Sequence, residues 1–212
     1  SKDLLSREGH PEMRDRISAP ERRQLIIQAA LTLFSQKGFR GTTTREIAQE
    51  AGVSEATIFK HFATKEALYS AIIDAKAHAE EVLEAAREAA AARDDARVLT
   101  AVATTILSRV EKDPSFMRLL LYSALEGHAL SEMFFATQVR RTHLFLTDYI
   151  ASRIREGAFR AVDPLLAARG FIGTVVHYLL THELFGVPRP AHVTPAGIIE
   201  LYVDIFLRGL RP

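Results

Sequence analysis

Apolar residues recur at spacings of three and four along most of the chain, which places them on one face of an α-helix. In the first predicted helix this stripe consists of Ile26, Ile27, Ala30, Leu33 and Phe34. No stretch shows the strict alternation of apolar and polar residues that a half-buried strand requires. The pattern therefore predicts an all-α protein.

Capping residues and glycines set the limits of the predicted helices. Ser18–Glu21 and Thr43–Glu46 have the form of capping boxes, in which Ser or Thr and a Glu three residues later satisfy the first free amides. Proline after Asp113, Asp163 or Thr194 marks further helix starts. About nine helices are predicted, at roughly 18–37, 43–51, 54–62, 65–92, 94–110, 113–126, 130–156, 163–185 and 194–207.

The predicted helix at 65–92 is long enough to connect two domains. At about 1.5 Å per residue it spans about 40 Å. We expect a DNA-binding domain at 18–65, this connector helix from 65 to about 92, and a ligand-binding and dimerisation domain within 66–212.

The stretch from Thr43 to Lys65 predicts a helix-turn-helix. Gly52 ends its first short helix, because glycine adopts the left-handed backbone at little cost. Ser54 can cap the second helix, which carries Ile58 on its apolar face. In this motif the second helix enters the major groove of DNA, led by its first residues.

The charge distribution supports DNA binding at this end of the chain. The net charge is only +1, which excludes a uniformly basic nucleic-acid coat. Residues 14–65 hold nine basic and five acidic side chains, a net charge of +4, which leaves −3 for the rest. The positive field is therefore concentrated on the predicted helix-turn-helix.

Other chemistry is not indicated by the composition or the motifs. The chain has no cysteine, which excludes disulfides and thiolate metal sites, and it has no pair of histidines at i and i+4. It contains no serine nucleophile elbow, phosphate-binding loop or H-E-x-x-H motif. We expect no enzyme activity, no catalytic residue, no metal and no cofactor.

Residues 22–72 resemble the DNA-binding domain of the TetR family of transcriptional repressors. The resemblance implies a three-helix head that binds DNA and a carboxy-terminal domain that binds a small molecule and dimerises. The family usually has tyrosine where this chain has Phe59, and the missing hydroxyl removes a common phosphate contact. The resemblance is carried by Ile26–Ile27, Ala29–Ala30, Leu33–Phe34, Gly38–Phe39, Thr42–Thr43, Ile47–Ala48, Ala51–Ser54, Thr57–Phe59, His61–Phe62, Lys65–Glu66 and Leu68.

The candidate DNA-binding residues lie at helix starts and along the second helix of the motif. Thr43, Thr44 and Lys65 are assigned to phosphates, because free amides and the helix dipole favour anions at a helix start. Arg45 can reach into the groove, where Arg commonly binds guanine. The recognition-helix candidates are Ser54, Glu55, Ala56, Thr57, Phe59, Lys60 and His61.

Several of these residues also have a purely structural interpretation. Thr43 and Ser54 would cap helices in any helical protein. Glu55 repels phosphates, so it indicates either cytosine readout or a position away from the DNA backbone. Arg14 and Arg16 fit either a basic arm that touches DNA or a solvated tail.

The last two predicted helices form the expected homodimer interface. The helix at 163–185 is apolar nearly all round, so it must be buried on more than one side. Gly170 and Gly173 permit close approach of another helix. Two helices from each subunit would form a four-helix bundle, as in the TetR family. An ordinary core within one chain is the alternative.

A ligand cavity is expected among the fifth to eighth predicted helices. Such cavities are apolar with a few polar groups that orient the ligand. Core packing or a surface position is the alternative for each candidate. The candidates are Phe116, Leu120, Tyr122, His128, Phe134, His143, Thr147, Thr174, His177 and Tyr178.

Taken together, the sequence predicts a homodimeric, ligand-responsive transcriptional regulator, in the simplest case a repressor that a small molecule releases from a palindromic operator in double-stranded DNA. The alternative is a helical dimerisation module with a degenerate head that no longer binds DNA. No apolar run approaches the roughly 20 residues of a membrane span. The amino terminus also lacks a signal-peptide core. We therefore expect no membrane partner and a cytoplasmic location.

Overall fold

The computed structural model describes residues 17–76, 80–127, 132, 135 and 139–212. Over these residues the chain is helical and contains no strand, which confirms the predicted all-α class. A π-helical turn, Leu180–Leu184, follows the ninth α-helix. The α-helices are α1 (Ala19–Lys37), α2 (Thr44–Glu50), α3 (Glu55–His61), α4 (Lys65–Lys76), α5 (Glu80–Ala91), α6 (Asp95–Lys112), α7 (Ser115–Leu125), α8 (Arg140–Arg155), α9 (Pro164–Leu179) and α10 (Pro195–Leu210).

The described helices differ from the predicted ones at several places. The helix predicted at 163–185 is α9 followed by the π-helical turn, and the last helix continues to Leu210. The predicted connector at 65–92 is described as α4 and α5, and residues 77–79 between them lie outside the described residues. The helix predicted from about 130 is described from Arg140 onwards, because most of 128–138 lies outside as well. At α7 the cap moves by one residue: Pro114 is the N-cap, and Asp113 Oδ1 accepts from Ser115 N at 3.0 Å.

Both predicted capping boxes are present. Ser18 Oγ accepts from Glu21 N at 3.3 Å, and Glu21 accepts from Ser18 N at 2.8 Å. Thr43 and Glu46 make the same reciprocal pair at 3.2 and 2.8 Å. Asp163 caps α9 as predicted. Local sequence signals therefore fixed these helix starts.

The described residues form two apolar cores. The first is built by α1 to α4, with α4 adding Leu68, Tyr69 and Ile72, and it also takes in Leu119 from α7. The second is built mainly by α5, α6, α8, α9 and α10. Helix α7 packs against α1. Met117 of α7 packs against the second core. Helix α7 therefore contacts both cores, although it lies just past the middle of the chain.

A charged network joins the start of α6 to the end of α8. Arg153 donates to Asp95 Oδ1 at 2.8 Å and to Glu156 Oε2 at 2.6 Å. The Tyr149 hydroxyl donates to the same Asp95 oxygen at 2.6 Å. Burial, and then the hydrogen bond to Asp95, raise the pKa of Tyr149, so this hydroxyl remains a donor at neutral pH.

We expect Arg153→Met to lower the free energy of unfolding by about 2 kcal/mol, because the Asp95 carboxylate would lose its cation while staying largely shielded from water. Urea titration would measure the change. Arg87→Met, at an exposed position of α5, is the matched control and should have little effect. Equal stability of the two variants would show that the network contributes nothing.

The stretch Pro164–Leu184 is long and apolar enough to cross a membrane by length and composition, with a mean hydropathy of 1.2. This corrects the expectation that no run approaches a membrane span. Phe171, Ile172, Val175 and Leu179 of this stretch are buried in the second core. A helix that packs inside a protein needs the same apolar composition, so the criterion alone is weak.

Candidate DNA-binding surface

Helices α2 and α3 are fixed on α1 by a few buried side chains. Ile47, Ala48 and Ile58 are all buried in the first core. Val53 N donates to Ala48 O at 2.9 Å across the turn. Gly52 has a φ of 65° in this turn, a left-handed value that glycine tolerates. The other side of both helices is left to the solvent.

The recognition helix α3 begins with a side-chain cap. Ser54 Oγ accepts from Thr57 N at 3.1 Å and lies 2.8 Å from Thr57 Oγ1. These two predicted DNA-binding residues therefore also stabilise the helix start. His61 is half-buried. The exposed side chains of α3 are Glu55, Ala56, Phe59 and Lys60.

An open depression of about 450 Å³ lies beside the motif. Phe59 forms part of it and is 49% exposed, so its ring is not simply a packing residue of the first core. The wall combines an apolar ring with hydroxyl groups and two cationic side chains. The depression is lined by Arg40, Thr42, Thr43, Thr44, Phe59, Ala63, Thr64 and Lys65.

Lys65 holds the turn between α1 and α2 together. Its ammonium donates to Phe39 O and to Thr42 O, both at 2.8 Å. It also lies 4.2 Å from the centroid of the Phe39 ring, within the range of a cation–π contact. An ammonium has three N–H donors. One of them is left, after these two bonds, for the predicted phosphate contact.

Glu46 fixes the start of α2. Its carboxylate accepts from Thr43 N at 2.8 Å and from Lys37 Nζ at 2.7 Å. These bonds, that of Lys37 above all, lower the pKa of Glu46 to about 2. The carboxylate thus contributes stability that is fully present above its unfolded pKa and is lost as the pH falls towards 2. Thr43 therefore keeps its position at neutral pH.

A hydrogen bond crosses the motif from α2 to α3. The Thr44 hydroxyl donates to Glu55 Oε1, so the first residues of the two helices are connected. A hydroxyl group has a single proton to donate. The sequence predicted a phosphate contact for Thr44. Its hydroxyl cannot donate to a phosphate while it donates to Glu55. Arg45, the next residue of α2, is exposed.

The turn between α1 and α2 is also bound from the other half of the chain. Glu126, directly after α7, accepts from Phe39 N at 3.2 Å and from Arg40 N at 3.3 Å. Gly38 has a φ of 75°, and a Cβ there would lie 2.3 Å from Glu126 Oε1. Glycine is therefore favoured at position 38 by its left-handed backbone, and a larger residue would in addition have to displace the Glu126 carboxylate.

The predicted ligand-binding residues of α7 include two that face α1. Phe116 packs against the first core, and the Tyr122 hydroxyl donates to Gln36 O at 3.1 Å. Leu120 is half-buried. The structure thus places Phe116 and Tyr122 against the first core and α1. His128 lies outside the described residues.

The candidates on α8 differ in how their polar atoms are used. His143 Nδ1 lies 2.9 Å from Val139 O. Thr147 Oγ1 is shielded from solvent, and within the described ranges no hydrogen-bond partner for it is found. Phe134 precedes α8 and lies outside the described residues.

The three ligand-binding candidates on α9 lie in different environments. Tyr178 is buried in the second core. Thr174 and His177 are exposed in the single chain, and the Thr174 hydroxyl donates to Gly170 O at 2.9 Å. The eight predicted residues that lie in the described ranges therefore do not form one cluster.

Two residues at the turn between α1 and α2 were not among the candidates predicted from the sequence. Arg40 is exposed in the depression, and its basic side chain just before the Thr42–Thr44 run was an available signal. Glu126 had no such signal, because its contact joins residues 87 positions apart in the chain. Only the folded structure brings Glu126 to Phe39.

A three-helix head with an exposed recognition helix, carried on a helical second domain, defines the class of helix-turn-helix transcriptional regulators. Residues 26–72 match the family described as bacterial regulatory proteins, tetR family. Residues 97–209 match the carboxy-terminal domain of AefR-like transcriptional repressors. The chain therefore belongs to the TetR family of bacterial transcriptional regulators.

Individual relatives agree with this assignment. The transcriptional repressor KstR2 of Rhodococcus jostii is 27% identical over 197 residues, which cover 89% of this chain and 91% of that protein. The uncharacterized regulator YvkB of Bacillus subtilis is 52% identical over 48 residues, which cover 23% of this chain and only 25% of that protein. The structure of AibR with isovaleryl coenzyme A and operator DNA has the same fold, with a TM-score of 0.65 at 22% identity over 87% of this chain and 97% of AibR.

Proposed function

We propose that this regulator is a homodimeric repressor that binds a palindromic operator and is released by a small molecule. The observation that carries the proposal is the solvent-facing side of α2 and α3 beside the depression. Arg45 and Lys60 are exposed there for contacts in the groove, and Arg40 and Lys65 lie at the depression for contacts with phosphates. The Thr43 hydroxyl already donates to Glu46 at 2.9 Å. Repression is also the activity named for KstR2.

Dimerisation through α9 and α10 is supported by their uncovered apolar side chains. Leu166 on α9 is 64% exposed, and Leu201 and Ile205 on α10 are 51% and 57% exposed. Among the described residues, and apart from the backbone of its own helix and its chain neighbours, no atom lies within 4 Å of a Cβ added to Gly173. Such a surface is typical of a subunit interface, and two helices from each subunit complete a four-helix bundle.

The small-molecule site belongs, in this proposal, to the second core. The shielded hydroxyl of Thr147 on α8 could orient a ligand, since polar groups in apolar cavities usually serve that role. A ligand that binds two arrangements of the domains unequally shifts their populations. The bonds from Glu126 and Tyr122 to the head are direct routes for that shift.

A regulator of this kind acts on chromosomal DNA, so we propose the bacterial cytoplasm as its location. The exposed Phe59 ring cannot donate to a phosphate, as the tyrosine usual in the family does. It can still contact sugars and thymine methyl groups in an apolar manner. A degenerate head is therefore not required to account for Phe59.

Two arginine variants test the proposed division between phosphate and base contacts. Arg40→Ala should weaken binding to all sequences alike and reduce the salt slope by about one per head. Arg45→Ala should instead relax the preference at one base-pair position of each half-site. Anisotropy titrations with a set of duplexes between 50 and 200 mM salt would separate the two effects. Identical behaviour of both variants would contradict this division, and no binding by the unaltered protein even at 50 mM salt would contradict the proposed function.

A further inference from the structure

We propose that Glu55 reads a cytosine in each operator half-site and that Thr44 is the positioning residue that holds its carboxylate for this contact. This inference rests on the DNA-binding function proposed above. It assigns a base to the one acidic side chain at the exposed start of the recognition helix.

A hydrogen bond from Thr44 restricts the freedom of the exposed Glu55 side chain. Glu55 is the first residue of α3, and its side chain is exposed. Thr44 is the first residue of α2, and its hydroxyl donates to Glu55 Oε1. Fixing a long side chain on binding costs rotamer entropy. Because this bond already restricts the Glu55 side chain in the free protein, less of that entropy is lost when DNA binds. The carboxylate is thus aimed before DNA arrives.

The free oxygen of this carboxylate needs a donor when DNA covers it. Within the described part of the chain, no hydrogen bond from the protein to Glu55 Oε2 is found. A phosphate offers no proton and repels the charge. The first residues of a recognition helix face base edges. Among the groups of the DNA itself, a direct donor to this oxygen is therefore a base edge in the major groove.

The major groove presents only two exocyclic amino groups, N4 of cytosine and N6 of adenine. Adenine carries the N7 acceptor beside its amino group, so a carboxylate placed there meets another acceptor. Cytosine has no acceptor on its groove edge. An ionised carboxylate, which only accepts, therefore fits cytosine better than adenine. An amide, which both donates and accepts, fits adenine.

The experiment uses the full-length protein and a duplex obtained by selection from random sequences. Each half-site position is then varied, and competition titrations measure the relative affinities. The unaltered protein should prefer cytosine at one position by about 5- to 30-fold. Glu55→Gln should move the preference at that position to adenine and leave the other positions unchanged.

Thr44 is tested by two variants that differ in the hydroxyl group. Thr44→Val should reduce the cytosine preference to below about 3-fold, because the carboxylate loses its fixed orientation, whereas Thr44→Ser should retain it. Glu50→Gln, at an exposed position of α2, removes the same charge elsewhere and should leave every preference unchanged. Circular dichroism would confirm that the variants are folded.

A modified duplex tests the amino group without relying on any one variant. Pyrimidin-2-one in place of the selected cytosine lacks N4, and it should weaken binding by the unaltered protein as much as a mismatch does. Glu55→Ala should bind the modified and unmodified duplexes alike. Base preferences that Glu55→Gln leaves unchanged would overturn the role of Glu55, and a Thr44→Val profile equal to the unaltered one would overturn that of Thr44. Absence of any DNA binding would instead defeat the proposed function itself.

Discussion

Ile205→Glu is expected to convert a dimer into a monomer and to weaken binding to a palindromic duplex by about 100-fold or more. The side chain is 57% exposed on α10 and lies one turn from Leu201. Burying an unpaired carboxylate in an apolar interface costs more free energy than the remaining apolar contacts of the side chain can offset. A monomer then binds with one head, without the raised effective concentration that the second head provides.

Sedimentation velocity would measure the mass of the protein in solution, and fluorescence anisotropy would measure its affinity for DNA. Leu144→Glu is the matched control, because Leu144 is likewise exposed but lies on α8. It should leave both the mass and the affinity nearly unchanged. An Ile205→Glu protein that stays dimeric would place the interface elsewhere.

Glu126→Ala is expected to have the largest effect on how the head is held. Its carboxylate accepts from the amides of Phe39 and Arg40, and bonds to a charged acceptor contribute about 1.5–3 kcal/mol each at most. We expect hydrogen exchange at these two amides to accelerate about 10-fold or more. Exchange in α8 and α9 should remain slow, since that core does not involve Glu126.

Glu88→Ala on α5 provides the control for removal of an acidic side chain, because Glu88 is exposed. In the Glu88→Ala variant, the hydrogen-exchange rates of the Phe39 and Arg40 amides should equal those of the unaltered protein. Unchanged rates in Glu126→Ala would mean that this contact does not restrain the head. The proposed route from the ligand domain to DNA would then have to run through other contacts of α7.

The sequence predicted those helix starts and turns that depend on interactions between residues close together in the chain. The caps at Ser18, Thr43 and Asp163 are formed by residues three positions apart, so their pattern is readable without the fold. The helix-turn-helix was predicted for the same reason, since Gly52 and Ser54 mark its turn directly.

Contacts between distant residues were not predictable in this way. Lys65 was assigned to a phosphate from its charge and its place at a helix start, and that assignment stays a prediction. The sequence did not indicate that the ammonium also donates to two carbonyl groups of the preceding turn. The ligand-cavity assignment of Phe116 and Tyr122 from their residue types stays a prediction, but their contacts with the first core and with α1 were not foreseen. The direction of a side chain depends on which helix packs beside it, and here α1 packs against α7.

The most direct test of the central claim is selection of bound sequences by the full-length protein from a pool of random duplexes at low salt. If this chain is a dimeric TetR-family repressor, the selected sequences should form a palindrome whose half-sites present adjacent major grooves, with centres about 10 base pairs or a multiple of that apart. Recovery of no common sequence, or of a single unpaired half-site, would contradict the account.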